Sequence, residues 1–532
     1  MRGADILVKA LVKAGVTRIF SLSGNQIMPV YDACLSEGVE IIHTRHEAAA
    51  VYMAEAYAQL TGTLGVALVT AGAGAANAMG PLFTASESET PVLLLTGDSP
   101  VRQDGMGTFQ EMPQVPMIAP LTKMSVRPHH ARDLAREIAR ASRLAQSGRP
   151  GPVHVALGFD VVNDMVETGD LPHAQAFQRH PMTVDHATLQ TIMKALSKAS
   201  RPVVICGPLM NATRFEQGAE LADALGAPVI PMESPRGLRD PALGNIRDVL
   251  GRADLIVNMG KRVDFTLSFG QPDVFDPSAR WIVVQPSDVE RDRAYRNLEQ
   301  RLMLAVAADP RDVARCLIAQ GVSPRTGTQW RETVTQALAA RSIAPDAGTQ
   351  ITSPQLCEAV QRQIARHPNA IAVCDGGEFG QWAQAGTRAK TRIVNGVSGA
   401  IGGGLCYGIA AGLARPGAPV FSLMGDGTVG FHIAEFETAA RQGISCVVVI
   451  GNDKCWNAEH QIQMREYGPD RLIGCDLSDA RYDLAAAALG AHAEYVTKRQ
   501  DLDAALARAV DSGKPACVNV IIEGLPAPSM SS

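Results

Sequence analysis

The sequence predicts an α/β protein built from three doubly wound parallel-sheet domains. Short apolar runs rich in β-branched residues alternate with helical patterns along the whole chain. Apolar runs without polar alternation are typical of strands that helices cover on both faces, as in parallel sheets. The 532 residues are enough for three or four domains of about 150 residues each.

Two polar, proline-containing segments, residues 168–181 and 342–354, divide the chain into parts of ordinary domain size. We therefore predict domains at residues 1–168, 182–341 and 354–532. The predicted strands are residues 19–22, 65–70, 91–96, 153–157, 202–206, 255–259, 281–284, 370–374, 420–424, 446–450 and 516–522. Open parallel sheets bind ligands at the carboxyl ends of their strands, so functional residues are expected directly after these segments.

Composition and charge argue against several classes of protein. Hydrophobic residues make up 46% and charged residues 19% of the chain, which excludes a disordered protein. The net charge of −5 without a basic block argues against a nucleic-acid partner. The longest apolar stretch, residues 400–414, contains several glycines and is shorter than the roughly 20 residues that span a bilayer, so we expect no membrane contact. Ten cysteines without a CxxC pair, and no leader pattern, predict reduced thiols in the cytoplasm.

The strongest functional pattern lies in the last predicted domain. A strand ends in Gly425-Asp426-Gly427, a helix follows at Thr428, and Asn452 comes directly after the next strand. Carboxylate and amide oxygens at neighbouring strand ends suit a hard cation such as Mg²⁺. The glycines let the backbone approach phosphates, and the helix N-terminus offers free N–H groups. The pattern therefore predicts a cation and diphosphate site, and its alternative is a plain turn.

This segment resembles the thiamin-diphosphate (ThDP) fingerprint of the superfamily of acetolactate synthase, benzaldehyde lyase and 2-hydroxyacyl-CoA lyase. The resemblance implies that Asp426, Asn452 and the backbone carbonyl of Lys454 bind Mg²⁺. It also implies that a bulky aliphatic residue, here Ile401, holds the cofactor in a bent shape. The other residues of this domain that the resemblance places at the cofactor are Gly377, Glu378, Phe379, Gly399, Gly425, Gly427 and Thr428.

Two positions of this domain depart from the common family pattern. Gly451 stands where many members have asparagine, and Glu378-Phe379 stands where synthases usually have Gln-His. An acidic residue followed by Phe is more like the 2-hydroxyacyl-CoA lyase branch. Because a glutamate beside a diphosphate is electrostatically unfavourable, we expect the side chain of Glu378 to point away from the phosphates.

A second pattern, at residues 43–78, lies in the first predicted domain. Glu47 opens a helix, and a strand with a Gly-rich turn follows it. A glutamate there is commonly only a favourable charge at the helix dipole. The whole block, however, resembles the pyrimidine-binding domain of the same superfamily, which implies that Glu47, Thr70 and Asn77 contact the cofactor. Glu47 would hydrogen-bond the pyrimidine N1′. The three domains would then be pyrimidine-binding, central Rossmann-like and diphosphate-binding.

Two glutamines are the candidate substrate contacts. Gln26 follows the first strand, where the lyases have histidine and synthases a small residue; a loop amide bonded to backbone is the alternative. Gln110 lies between Phe109 and Glu111, which is the synthase form. A glutamine at position 110 matches both groups, and the chain around this loop resembles the lyases more, so these segments do not decide between the branches.

The resemblance implies a ThDP- and Mg²⁺-dependent lyase or carboligase. Its small-molecule substrates would be 2-hydroxy ketones, 2-hydroxyacyl compounds or 2-oxo acids, with a C2 ylid and an enamine intermediate. The alternatives are acetolactate synthase, a simple 2-oxo acid decarboxylase and, in another class, a non-catalytic ThDP-binding subunit. In this superfamily the two ends of one cofactor bind to different subunits. The resemblance therefore implies a homodimer or homotetramer with active sites at subunit interfaces. The central domain lacks a GxGxxG motif, and FAD or an ADP-like nucleotide there stays open.

Overall fold

The computed structural model describes residues 1–167, 171–321, 328–340, 350–395 and 398–528. These residues form three sheets whose paired strands are parallel throughout, so the predicted fold class is confirmed. The segments 168–170 and 341–349, which belong to the two predicted linkers, lie outside the described residues.

The first sheet and its helices span the N-terminal part of the chain. Its strands are β1 (Arg18–Ser21), β2 (Glu40–His43), β3 (Gly65–Val69), β4 (Val92–Asp98), β5 (Ser125–Val126) and β6 (Val153–Gly158). Its helices are α1 (Gly3–Lys13), α2 (Met28–Glu37), α3 (Glu47–Thr61), α4 (Ala73–Asn77), α5 (Met79–Glu87), α6 (Gln114–Ile118), α7 (Leu134–Gln146) and α8 (Phe159–Asn163). The strand order is β2-β1-β3-β4-β6-β5. Alternate residues of β3 join different apolar clusters, so helices cover both faces.

The central sheet follows a different winding. Its strands are β7 (Pro202–Cys206), β8 (Val229–Pro231), β9 (Leu255–Met259), β10 (Arg280–Val284) and β11 (Leu302–Val306). The helices are α9 (His186–Lys198), α10 (Gly218–Leu225), α11 (Ile246–Leu250), α12 (Asp288–Leu298), α13 (Pro310–Gln320) and α14 (Thr328–Ala339). The strand order β11-β10-β9-β7-β8 places the reversal of winding between β7 and β9.

The third sheet repeats the topology of the first. Its strands are β12 (Ile371–Cys374), β13 (Thr391–Val394), β14 (Val420–Gly425), β15 (Val447–Asn452), β16 (His492–Val496) and β17 (Ala516–Ile521). Its helices are α15 (Ser353–Arg366), α16 (Gly377–Gly386), α17 (Gly404–Ala414), α18 (Asp426–Val429), α19 (Glu435–Arg441), α20 (Asn457–Tyr467), α21 (Tyr482–Ala488) and α22 (Leu502–Asp511). The order β13-β12-β14-β15-β17-β16 is the order of the first sheet.

The strands that the apolar runs did not predict share one position in their sheets. They are the edge strands β2, β5, β8, β11, β13 and β16. Edge strands such as β2 and β16 are partly exposed, so their sequences lack the continuous apolar run of a central strand.

Helices α3 and α17 join the first and third sheets into one apolar core. Alanines of α3 and the Gly- and Ala-rich face of α17 belong to a single buried cluster. A Cβ built on Gly408 would lie 3.4 Å from the Cβ of Ser422, so α17 rests directly on β14. The absence of a side chain at Gly408 therefore lets α17 approach the sheet closely.

Glu55 is a buried carboxyl group at this helix interface. Its Oε1 accepts hydrogen bonds from the hydroxyl of Ser88 at 2.5 Å and from the amide of Gln59 at 3.1 Å. Burial raises the pKa of Glu55 to about 7, because the ionised carboxylate is poorly solvated there.

We expect Glu55→Gln to change the pH dependence of stability. The folded pKa lies above that of an unfolded glutamate, so the folded state holds the proton between these values and stability falls as pH rises through this interval. Between about pH 5 and about pH 8, the free energy of unfolding of the variant should rise relative to that of the wild type by on the order of 1–3 kcal/mol. Urea unfolding at both pH values measures this, with the exposed Glu358→Gln as control. A pH-independent difference would contradict the assignment.

Candidate active site

Asp426 and Asn452 lie at adjacent positions of the same sheet edge. Strands β14 and β15 are neighbours with Gly425 opposite Gly451, so the next residues are roughly 5 Å apart between their Cα atoms. Both side chains are buried. The structure thus brings together the carboxylate and amide oxygens that the sequence pairs as cation ligands.

A third oxygen-bearing side chain at this edge, Asp453, escaped the sequence analysis. Burial and then the neighbouring carboxylate of Asp453 raise the pKa of Asp426, and burial also raises the pKa of Asp453. Within the described ranges, the buried Oδ2 atom of Asp426 has no hydrogen-bond partner. A buried and a half-buried acidic group that face each other fit a bound divalent cation, whose charge would stabilise both as carboxylates. The signal in the sequence was the Asn-Asp dipeptide.

Hydrogen bonds orient the amide of Asn452. Its Nδ2 donates to Oδ1 of Asn519 at 3.1 Å, and Asn519 in turn donates to Asp483 at 3.2 Å. The Oδ1 of Asn452 accepts the backbone N–H of Lys454 at 3.2 Å. Lys454 has a left-handed φ of 59°, and its carbonyl already accepts the backbone N–H of Leu477 at 2.7 Å. A carbonyl oxygen has a second lone pair, so a cation contact at Lys454 stays open.

Asp375, which follows β12, stabilises the loop that precedes α17. Its fully buried carboxylate accepts backbone N–H groups and one side-chain amide, at 2.7–3.1 Å, from Gly376, Asn395, Gly402 and Gly404. These bonds fix the turn that precedes α17. Ile401 lies in this turn against Gly376, where a Cβ would be 2.4 Å from its Cγ2.

The two departures from the family pattern form one packing contact. A Cβ built on Gly451 would lie 2.5 Å from the ring of Phe379. An asparagine at position 451 is therefore incompatible with phenylalanine at position 379. Phenylalanine at position 379 and glycine at position 451 together fill the wall of the site.

The carboxylate of Glu378 has partners of its own. It accepts the side-chain amide of Gln381 and the backbone N–H of Ala527 at 3.3 Å, and Arg236 lies 4.0 Å away. Burial raises the pKa of Glu378. These contacts support the expectation that its charge is directed toward Arg236 and the C-terminal segment, although its position relative to phosphates stays a prediction.

A cavity of about 560 Å³ opens beside this edge. The predicted residues that line it are Gly377, Glu378, Phe379, Gly399, Ile401, Gly425, Asp426, Gly427 and Thr428. Trp456 closes one side, and a Cβ on Gly427 would meet its ring at 2.6 Å. The central domain adds Pro235, Arg236 and Phe265 to the wall, and the sequence analysis had placed none of them there.

Glu47 and its neighbours form a second cluster on the first sheet. Glu47 is the first residue of α3 and is 8% exposed. The amide of Asn77 donates to its Oε2 at 3.0 Å. Gly74 lies between Glu47 and Thr70, because a Cβ there would be 3.5 Å from Oε1 of Glu47 and 2.9 Å from Cγ2 of Thr70. Thr70 donates to Oε1 of Gln26 at 2.7 Å. This cluster contains the predicted Glu47, Asn77, Thr70 and Gln26.

Gln110 joins this cluster through a shaped loop. It has a left-handed φ of 61°, and a Cβ on Gly72 would lie 3.0 Å from its Cβ. The carboxylate of Glu111 accepts three backbone N–H groups of the loop, at 2.5–3.0 Å, from Gly105, Gly107 and Thr108. These bonds lower the pKa of Glu111. Glu111 is thus a positioning residue for Gln110 that the sequence analysis left without a role.

The Glu47 cluster does not line the cavity beside Asp426. Within the described residues, Gln26, Glu47, Thr70 and Gln110 are absent from the lining of that cavity. We refer to the two clusters as half-sites, one at each of the topologically equivalent sheets.

Models of three domains match most of the chain. They describe the N-terminal TPP binding domain of thiamine pyrophosphate enzymes at residues 1–117, the central domain at 189–317 and the C-terminal TPP binding domain at 375–520. The chain belongs to the thiamine pyrophosphate enzyme family. Membership makes it a ThDP-dependent enzyme of the lyase or transferase type, which argues against a non-catalytic subunit.

The relatives of this thiamine pyrophosphate enzyme fall into two groups. Human 2-hydroxyacyl-CoA lyase 2 is 30% identical over 98% of this chain and 90% of its own length. Acetolactate synthase large subunit IlvG of Mycobacterium tuberculosis is 29% identical over 98% and 96%. The 2-hydroxyacyl-CoA lyase 2 of Caenorhabditis elegans is 28% identical over 98% and 89%.

The residues of both half-sites fit thiamin diphosphate. The paired acids Asp426 and Asp453 suit a cation, and the backbone turn at Gly377, with a φ of 79°, leaves open space for a phosphate. Glu47 offers a buried carboxyl group for the pyrimidine. By contrast, the carboxyl edge of the central sheet carries ion pairs of Arg262 with Glu87 and Glu290. FAD or an ADP-like nucleotide there stays a prediction.

Gly451→Ala tests the packing of Phe379. We expect the variant to lose about 1–3 kcal/mol of stability, because the new methyl group meets the phenylalanine ring. The double variant Gly451→Ala with Phe379→Ala should lose less stability than the sum of the losses in the two single variants. Urea denaturation of the four proteins gives the coupling energy. If the losses of the two single variants simply add in the double variant, the contact with Phe379 does not restrict the size of the residue at position 451.

Proposed function

We propose that this enzyme uses ThDP and Mg²⁺ to break or form a carbon–carbon bond next to a carbonyl. The observation that carries the proposal is the acidic pair of the buried Asp426 and the half-buried Asp453 beside Asn452, at an edge where a helix N-terminus begins. Such a set of oxygens suits a divalent cation that also holds a diphosphate.

The residues of the chain have separate tasks in this proposal. Asp426, Asn452 and the carbonyl of Lys454 hold the cation, and Thr428 at the start of α18 faces the diphosphate. Ile401 supports the bent cofactor. When bound, ThDP supplies a nucleophilic carbon and an electron sink.

The first half-site would activate the cofactor and bind substrate. Glu47 holds a proton at the pyrimidine N1′, and Asn77 keeps its carboxyl group in place. Gln26 and Gln110 hydrogen-bond substrate oxygens. A side-chain amide neither gains nor loses a charge near neutral pH, so neither glutamine acts as acid or base.

A second copy of the chain would complete each active site. Among the described residues of one chain, Glu47 and its cluster do not line the cavity beside Asp426. A homodimer, or a homotetramer built from two such dimers, brings one of each together across the subunit interface. The cofactor is then shared between two chains.

Mixing two inactive variants tests this arrangement. Glu47→Gln and Asp426→Asn should each reduce turnover by more than about 100-fold. A mixed dimer has one site with both changes and one wild-type site, so random mixing should restore about a quarter of wild-type activity. The measurement is turnover after co-expression, with each variant alone as control. Mass spectrometry verifies that mixed dimers have formed. If they are present and the mixture stays inactive, Glu47 and Asp426 of the same chain serve the same active site, and the proposal is wrong.

We propose a lyase or carboligase as the first choice of reaction. The Glu378-Phe379 pair and its contact with Gly451 support the 2-hydroxyacyl-CoA lyase branch, as does the similarity to the human lyase. Acetolactate synthase is the second candidate. The Phe109-Gln110-Glu111 loop and the similarity to the mycobacterial synthase favour it.

Product analysis distinguishes these reactions. The pure protein with ThDP and Mg²⁺ is given pyruvate, a 2-hydroxy ketone and a 2-hydroxyacyl-CoA in separate assays. We expect an aldehyde from the second or third substrate, because cleavage next to the carbonyl releases the carbinol carbon as an aldehyde. Acetolactate with CO₂ from pyruvate would favour the synthase, and acetaldehyde with CO₂ a simple decarboxylase. The Glu47→Gln variant is the control for contaminating activity.

We propose a reducing cytoplasmic location. All ten cysteines are free thiols, and most of them are buried, which supports a compartment where disulfides do not form. In the part of the chain that the structure describes, no helix is both long and apolar enough to cross a bilayer.

A further inference from the structure

A cluster of three potential metal ligands lies at the wall of the cavity. Sγ of Cys455, a ring nitrogen of His460 and a carboxylate oxygen of Asp476 all lie within 4.8 Å of one another. None of them belongs to the set proposed to hold Mg²⁺. Thiolate, imidazole and carboxylate are ligands that Zn²⁺ combines in proteins.

The backbone brings two of these side chains together. Residues 455 and 476 form an isolated antiparallel bridge. The flanking hydrogen bonds run from the N–H of Trp456 to the carbonyl of Cys475 and from the N–H of Leu477 to the carbonyl of Lys454, both at 2.7 Å. This is the pattern of a non-hydrogen-bonded pair, in which opposite side chains are closest. Cys455 and Asp476 therefore lie side by side.

His460 approaches this pair from the first turn of α20. Its Nδ1 atom is buried and has no hydrogen-bond partner among the residues that the structure describes. A buried polar atom without a partner is unfavourable. A cation or a proton-sharing ligand in the cluster would satisfy it.

The geometry points to a binding site for a borderline-soft divalent cation, with Zn²⁺ the best match, formed by Cys455, His460 and Asp476. Metal–ligand bonds of about 2.0–2.3 Å place tetrahedral ligand atoms about 3–4 Å apart, so small side-chain rotations would close the site. Asp476 is exposed, which leaves the fourth position to water. Mg²⁺ prefers oxygen ligands in octahedral geometry and would not compete well here.

Such a cation would brace the segment that forms the cavity wall. Cys455 and Trp456 both line the cavity, and the ring of Trp456 rests against Gly427. A cation that links Cys455 to Asp476 and to α20 would hold Trp456 in this position. The site would thus act on the shape of the cavity from residues that directly follow Lys454, one of the proposed cation ligands.

Cobalt titration tests the site in the full-length protein with excess Mg²⁺. Co²⁺ reports both a thiolate ligand, by a charge-transfer band in the near ultraviolet, and tetrahedral geometry, by intense visible bands. We expect about one Co²⁺ per chain with both features, displaced by Zn²⁺. Cys455→Ser should remove the thiolate band, and His460→Gln should weaken binding by at least about 100-fold.

Two control variants separate this site from its neighbours. Cys475→Ser removes a nearby thiol whose Sγ contacts the carbonyl of Ile473 at 3.6 Å, and it should keep the band. Asp426→Asn, which alters the proposed Mg²⁺ site, should also keep it. Retention of the band in Cys455→Ser, an octahedral spectrum without a thiolate band, or loss of cobalt binding in Asp426→Asn would overturn the proposal. Thermal melting of each variant verifies that it is folded.

Hydrogen exchange provides the second readout. Addition of Zn²⁺ should slow exchange of backbone amides in residues 454–477 of the wild type and not of Cys455→Ser. Unchanged exchange in the wild type at saturating Zn²⁺ would show that no cation braces this segment.

Discussion

The packing of α3 against α17 is the constraint on which both half-sites depend. Glu47 opens α3, and the turn with Ile401 leads into α17. Alanines of α3 and apolar residues of α17 belong to one buried core, which both helices share with two sheets. Any change in this packing displaces both helix N-termini. The position of the Glu47 half-site is therefore coupled to that of the Asp426 half-site.

Two kinds of buried carboxylate serve different purposes near the cavity. Asp375 accepts several hydrogen bonds and stabilises the turn before α17. Asp426 faces another acid and retains a buried oxygen without a partner in the described part of the chain. A satisfied buried charge gives rigidity, whereas an unsatisfied one is a place for a ligand. The hydrogen-bond partners distinguish the two aspartates, which the sequence alone does not.

The sequence predicted the fold class and the strands at the centre of each sheet. It missed the edge strands, since partial exposure removes the continuous apolar run that marks a central strand. It also paired Asp426 with Asn452, because chain order within a strand–helix–strand unit determines which strand ends are neighbours. The contact between Phe379 and Gly451, by contrast, joins two segments whose distance no local pattern encodes. The same holds for Arg236 and Phe265, which reach the cavity only through the docking of the central domain.

The central domain forms part of the cavity wall, and this affects how the enzyme can evolve. Pro235, Arg236 and Phe265 come from loops of a domain that provides none of the proposed cation ligands. Substitutions in these loops change the shape and charge of the entrance and leave Glu47 and Asp426 untouched. Under the proposed function, selection on these loops changes which substrates enter the cavity, while the residues proposed for the chemistry stay the same. The division of the chain into three sheets makes the enzyme modular in this sense.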